Sequence, residues 1–149
     1  MKKSDRMIPI KQIAADHEQQ AVADLGQSQR ALSEHEMKLE QLRNYRTEYA
    51  RLFQEHGSRG MDGSQLQAYQ TFLAQLDTAI RQQADMIKYV EGECAEKREV
   101  WQQRHTRTEA LAKTVERFQT SERKLDEKQQ QREADDHTNS RFWMSHHPK

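Results

Sequence analysis

The stretch His56–Gly63, HGSRGMDG, decides how the chain folds, because it is the one place where turn residues cluster. It holds three of the five glycines, and glycine tolerates backbone conformations that other residues avoid. Gly57 suits the left-handed position that ends a helix. Ser64 and Gln67 form a capping box that favours the start of another helix. The stretch therefore predicts a turn, at about residues 57–63, between two helices.

The sequence on both sides of this turn permits long helices. The prolines are Pro9 and Pro148, and a proline is tolerated at the first helical position. We expect helix 1 at about residues 9–56 and helix 2 at about residues 64–135. Residues 1–135 would then form a single helical hairpin, and residues 136–149, which lack a repeat, a disordered tail.

A seven-residue repeat of mostly apolar side chains runs along both predicted helices, as expected of a coiled coil. Helix 1 carries Leu25, Leu32, Leu39, Arg46 and Phe53 in one series and Ala21, Ser28, His35, Leu42 and Tyr49 in the other. Helix 2 carries Leu66, Leu73, Ile80, Ile87, Cys94, Trp101, Thr108 and Val115, and Tyr69, Leu76, Gln83, Val90, Lys97, Arg104, Leu111, Phe118 and Leu125. The fold class is therefore all-α, a long two-helix antiparallel coiled-coil hairpin whose second helix is longer than its first. The polar side chains in these series fix the register of the two helices, in our interpretation.

The composition argues against several classes of function. Hydrophobic residues make up 34% of the chain, and no apolar run is long enough to span a membrane. The 24 basic and 24 acidic residues cancel, so nucleic-acid binding is not expected. The chain has one cysteine, Cys94, and no nucleotide-binding or hydrolase motif. We therefore expect no enzyme activity, no cofactor and no metal site. The start lacks a secretory signal, so the expected compartment is the cytoplasm.

The predicted register leaves the last part of helix 2 without a partner. If the chain reverses near residue 61, Ile8, at the start of helix 1, would lie opposite about Lys113. Val115, Phe118 and Leu125 would then lie on an unpaired overhang, ready for another chain. Pairing with a second copy of the same protein is the alternative.

Aromatic residues beside the turn form a second candidate surface. Tyr45 and Leu52 flank the seam of helix 1, and Phe72 and Ala79 flank that of helix 2. Large rigid rings along one edge suit a binding hot spot. The alternative is that Tyr45 and Phe72 only widen the core.

At these residues the sequence resembles the flagellar export protein FliJ family. The matching features are Y-x-x-E-Y at Tyr45–Tyr49, YQTFLAQLDTAI at Tyr69–Ile80, Trp101 and KLDEKQ at Lys124–Gln129. The resemblance covers about residues 8–135, and the tail RFWMSHHPK lies outside it.

This resemblance implies a non-enzymatic stalk of the flagellar type III export apparatus. The stalk would couple a hexameric export ATPase to the cytoplasmic domain of the membrane export gate, and would assist export chaperones. It would act at the cytoplasmic face of the inner membrane and meet the membrane only through the apparatus. A predicted gate set would bind the gate through Tyr45, Tyr49, Phe72, Leu76 and Ala79. A predicted ring set would enter the ATPase through Ile10, Ile13, Leu111, Val115, Phe118 and Leu125.

Two alternatives remain at this point. One is the equivalent stalk of a virulence-type secretion system. The other is a structural coiled coil that dimerises through its overhang.

Overall fold

The computed structural model describes residues 1–146 and contains two helices joined by a short turn. Helix α1 spans Lys3–Ser58 and helix α2 spans Gly63–His146, and no strand occurs in this part of the chain. The predicted fold, an all-α hairpin with a longer second helix, is confirmed. That residues 1–135 act as a single domain stays a prediction.

The turn lies where the glycine cluster predicted it, but other residues build it. Gly60 is the glycine with a positive φ, at 88°, so the left-handed conformation falls there and not at Gly57. The Asp62 carboxylate accepts a hydrogen bond of 2.8 Å from the backbone N–H of Gln65, and its carbonyl accepts one from Leu66. Asp62 therefore caps the start of α2, the role that the sequence suggested for Ser64.

The chain divides into two compact units. The turn unit comprises Gln19–Gln102, and the terminal unit comprises Met1–Glu18 together with the chain from Gln103 onward. In the turn unit, segments of α1 and α2 pack antiparallel. Its most buried apolar side chains belong to the predicted heptad series: Ala21, Leu76, Ile87, Val90 and Cys94. A thin two-helix seam, as the low apolar content implied, forms the core of this unit.

One polar pair interrupts that seam. Gln83 is buried, and its side-chain amide donates to the His35 carbonyl at 2.9 Å and contacts the ring Nδ1 of His35 at 3.1 Å. The seven-residue repeat places both residues on the seam. A buried polar contact of this kind favours one alignment of two helices over alignments shifted by a heptad.

The terminal unit differs from the sequence expectation, because α1 begins at Lys3 and carries Pro9 in its interior. A proline there removes one intrahelical hydrogen bond. Contacts with α2 offset that loss. The backbone N–H and the hydroxyl of Ser4 both donate to the Glu122 carboxylate, at 3.1 and 2.6 Å, and Lys2 pairs with Asp126 at 3.3 Å. The first turn of α1 therefore covers a part of α2 that was expected to be unpaired.

Helix α2 continues through the segment that was expected to be a disordered tail. It ends at His146, and residues 147–149 of that tail lie outside the described residues. No glycine or proline occurs between Gly92 and Pro148, so the sequence offers no helix stop before that point. All side chains from Arg123 to His146 are exposed.

Candidate partner-binding surfaces

Three rings of the predicted gate set come together in the turn unit. Tyr45 of α1 meets Phe72 of α2 edge to face, with ring centroids 6.0 Å apart and planes at 84°. Tyr49 lies against both, at 4.4 Å from Phe72 and 6.4 Å from Tyr45. Tyr45 is 53% exposed, whereas Tyr49 and Phe72 are half-buried. We call Tyr45, Tyr49 and Phe72 the aromatic edge. It has one exposed ring, Tyr45, which packs against two half-buried rings.

Further rings continue this packing toward the turn. Tyr69 lies 5.1 Å from Tyr49 and 5.5 Å from Phe53, measured between ring centroids. Its hydroxyl shares a 2.6 Å hydrogen bond with Nδ1 of His56. Burial against these neighbours raises the pKa of Tyr49, so its hydroxyl stays neutral. The register predicts outer rings at Tyr45 and Phe72 above inner rings at Tyr49, Phe53 and Tyr69. Tyr45 is exposed as expected, whereas Phe72 is half-buried like the inner rings.

The other two members of the gate set are less accessible. Leu76 is buried in the seam and Ala79 is half-buried. Leu76 therefore supports the surface from beneath, and the open apolar area comes chiefly from Tyr45. That any of these residues binds a gate stays a prediction.

An ion pair joins the two helices beside the aromatic edge. Nε of Arg46 donates to one carboxylate oxygen of Asp77 at 2.5 Å, and Nη2 reaches the other at 3.5 Å. The hydrogen bond from Arg46 holds the pKa of Asp77 below its ordinary value, and Asp77 in turn raises the pKa of Arg46. Sequence reasoning placed Arg46 in the seam but missed its partner. An arginine at an apolar repeat position is the signal that could have prompted a search for an acid on α2.

The members of the predicted ring set differ in how far they are exposed in the terminal unit. Ile10 and Ile13 are exposed and help to line a cleft of about 380 Å³ with Arg104 and Arg107. Leu125 is 66% exposed.

The other three members of the ring set are less exposed, and one of them contacts α1. Leu111 and Phe118 are half-buried, and Nζ of Lys3 lies 5.7 Å from the centroid of the Phe118 ring. Val115 is only 4% exposed. The expectation that Val115 and Phe118 lie on an unpaired overhang is wrong, because α1 begins at Lys3, before Pro9, and both side chains are shielded from solvent.

A histidine bridges the two helices of the terminal unit. Nδ1 of His105 lies 2.6 Å from the Glu18 carboxylate of α1, and Nε2 lies 3.1 Å from Glu109, one turn along α2. A ring with a carboxylate at both nitrogens is best satisfied as a cation. The hydrogen bond to Glu18 raises the pKa of His105, and the same bond lowers the pKa of Glu18. Sequence reasoning missed this bridge, since only the register brings Glu18 to His105.

The described residues provide no cluster of three His, Cys, Asp or Glu side chains that could share a metal ion. Cys94 is buried and unpaired with another cysteine. Within residues 1–146, neither helix has a stretch long and apolar enough to cross a bilayer.

Comparison with known proteins identifies one family. The profile of the family described as "Flagellar FliJ protein" matches residues 2–146, which is nearly the whole chain. Neither the curated proteins nor the solved structures contain a match. The match includes both the aromatic edge and the helix ends. It extends at both ends beyond residues 8–135, the segment that the sequence resemblance covers.

Proposed function

We propose that this chain, which belongs to the flagellar FliJ family and so has a role related to flagellar export, is a non-enzymatic stalk that couples the export ATPase ring to the membrane export gate. In this proposal the turn unit binds the cytoplasmic domain of the gate and the terminal unit enters the hexameric ATPase. The protein acts at the cytoplasmic face of the membrane with the apparatus, and export chaperones are further partners.

The observation that carries the proposal is the aromatic edge. Tyr45 is held by ring contacts with Tyr49 and Phe72, yet half of its surface is open. A ring fixed in this way loses little conformational entropy when a partner covers it, which is the property of a binding hot spot. Covering the exposed half of such a ring contributes about half of the roughly 1.5–3 kcal/mol that full burial of a large apolar side chain provides.

The ring-binding part of the proposal rests on the exposed members of the predicted ring set. Ile10, Ile13 and Leu125 offer apolar contacts in the terminal unit, and Arg104 and Arg107 lie beside Ile10 and Ile13. Val115 no longer serves as a contact, because it is buried by the chain itself.

The gate assignment is tested by titrating the purified full-length chain against the cytoplasmic domain of the gate. Tyr45→Ala should weaken this affinity by about tenfold, which corresponds to 1.4 kcal/mol. The matched control is Tyr89→Ala, because Tyr89 is 66% exposed in the same unit but contacts no ring of the aromatic edge. Equal affinities for Tyr45→Ala and Tyr89→Ala would contradict the assignment.

The ring assignment is tested with the hexameric ATPase in the same way. Leu125→Glu combined with Ile13→Glu should abolish binding and leave helicity unchanged, whereas Met37→Glu, which alters an exposed residue of the turn unit, should not. Unchanged ATPase affinity in the double variant would exclude this surface.

The alternative of a self-associating coiled coil makes a different prediction. A stable dimer at micromolar concentration that Leu125→Glu converts to monomer would favour that alternative over the stalk. The family match is to a flagellar protein, which favours the flagellar apparatus over a virulence-type system.

A further inference from the structure

The ion pair between Arg46 and Asp77 lies where it can set the alignment of the aromatic edge. Arg46 is the chain neighbour of Tyr45 on α1. Asp77 follows Phe72 by five residues on α2, which places it about 7.5 Å farther along the helix axis and about 140° around it. The pair therefore ties α1 to α2 at nearly the same level as the contact between Tyr45 and Phe72, from the other flank of the seam.

That ring contact is sensitive to alignment. Tyr45 and Phe72 meet edge to face at 6.0 Å, within the range of about 4.5–7 Å over which aromatic pairs attract. A shift of one residue along a helix moves a side chain by about 1.5 Å and turns it by about 100°. Such a shift separates the rings, so something nearby must hold the alignment.

Apolar seam contacts do not supply this specificity by themselves. Leucines and isoleucines recur every seven residues, and the seam packs almost as well when one helix is moved by a heptad. The short turn between Ser58 and Gly63 limits such shifts, and directional contacts between the helices distinguish the alignments that remain. Within the turn unit, the Tyr69–His56 hydrogen bond acts on the turn side of the rings, whereas the buried Gln83–His35 contact lies eleven residues from Phe72 on the other side.

The Arg46–Asp77 contact is directional because two guanidinium nitrogens face two carboxylate oxygens. A planar fork of this kind fixes orientation as well as distance, which a lysine ammonium does not. Both side chains are 41% exposed, so the pair adds orientation without burying an uncompensated charge.

We propose that Arg46 and Asp77 are positioning residues that hold Tyr45 against Phe72 and thereby shape the surface offered to the gate. Neither residue is required to touch the partner. The link to the gate rests on the proposed function, whereas the effect on the rings belongs to the protein alone.

The experiment separates these two claims. Nuclear Overhauser contacts between the rings of Tyr45 and Phe72 are measured in the full-length chain without a partner, and gate affinity is measured in parallel. Asp77→Asn should remove the ring contacts and weaken gate binding about fivefold, a size typical of contacting pairs. The charge exchange, Arg46→Asp with Asp77→Arg, should restore both to within about twofold of the original protein.

The matched control is the ion pair between Arg51 and Glu48, which has a similar geometry but lies entirely within α1. Glu48→Gln removes that pair and should leave the ring contacts unchanged. Arg46→Lys keeps the positive charge but cannot make the contact through two nitrogens, so it should remove part of the ring contacts and part of the gate affinity. If Asp77→Asn does not fold, Arg46→Lys is measured in its place.

Two results would overturn the inference. Ring contacts that persist in Asp77→Asn would show that the pair does not hold the rings. Ring contacts that disappear and do not return on charge exchange would show that the two residues act other than through their pairing. If Tyr45→Ala leaves gate affinity intact, the proposed function fails while the ring measurements still decide the positioning role.

Discussion

Val115 provides a sharp test of how the terminal unit is built. It is 4% exposed, and it lies on α2 between Thr108, which contacts the Ala14 carbonyl, and Glu122, which binds Ser4. Val115→Ala removes two methyl groups, worth about 1.6 kcal/mol at about 0.8 kcal/mol each. Because the surrounding side chains fill the resulting cavity only in part, the expected loss in the free energy of unfolding rises to about 2 kcal/mol.

The loss is measured by urea and thermal unfolding followed by far-ultraviolet circular dichroism. For a chain of this size, the expected fall in melting temperature is about 4–8 °C. Leu125→Ala is the matched control, because Leu125 belongs to the same helix and predicted set but is exposed. Its effect on unfolding should stay within about 0.5 kcal/mol.

A second comparison shows whether α1 supplies the cover. Deleting residues 1–7 removes the turn that carries Lys3 and Ser4, so Val115→Ala should cost less in the shortened chain than in the full one. A loss below about 0.5 kcal/mol for Val115→Ala in the full chain would falsify the packing described. Equal losses in the two chains would show that α1 does not cover Val115.

Three further predictions concern polar and glycine positions. The pKa of His105 is higher in the folded protein than in the unfolded chain. The stabilisation from its contacts with carboxylates is therefore complete below the unfolded pKa and is lost as the pH rises through the folded pKa. Unfolding curves recorded at several pH values between about 6 and 8 should therefore show the free energy of unfolding falling as the pH rises. His105→Gln should remove that fall. The same dependence on pH in the variant and the original protein would contradict the contact between His105 and Glu18. Gln83→Leu should not destabilise the turn unit but should split the amide resonances around His35 as other alignments become populated, and a single set of resonances would argue against a register role. Gly60→Ala should cost about 1–2 kcal/mol, whereas Gly57→Ala, which has open space and no positive φ, should be neutral or stabilising in thermal unfolding.

Local sequence signals were sufficient for the architecture. Glycine clustering located the turn, and the seven-residue repeat assigned Leu76, Ile87, Val90 and Cys94 to the seam, where they are buried. These signals succeed because helix periodicity and turn chemistry are properties of neighbouring residues. The aromatic edge followed from the same register, since a correct seam also identifies the positions that flank it.

The ends of the hairpin were harder to predict, because distant contacts decide them. Pro9 is a plausible first residue of a helix, yet α1 starts at Lys3 because Glu122 receives two hydrogen bonds from Ser4. No local pattern contains that contact. The same error in the start of α1 made Val115 look unpaired. The ion partners of Arg46 and His105 were missed for a similar reason, since charged residues are common and only the exact alignment selects one.

The contact between Ser4 and Glu122 also has a consequence for the order in which the protein assembles. It joins residues that are 118 positions apart, whereas the rings near the turn join residues fewer than 30 apart. Closing a short loop costs less chain entropy than closing a long one, so contacts should form first beside the turn and last at Ser4. On the ribosome, the first helix therefore has to wait for nearly the entire chain before its beginning is covered. Until then Ser4 and Met7, which are shielded from solvent in the finished protein, remain open to chaperones of nascent chains. Amide exchange in the finished protein should be faster in this segment than beside the turn.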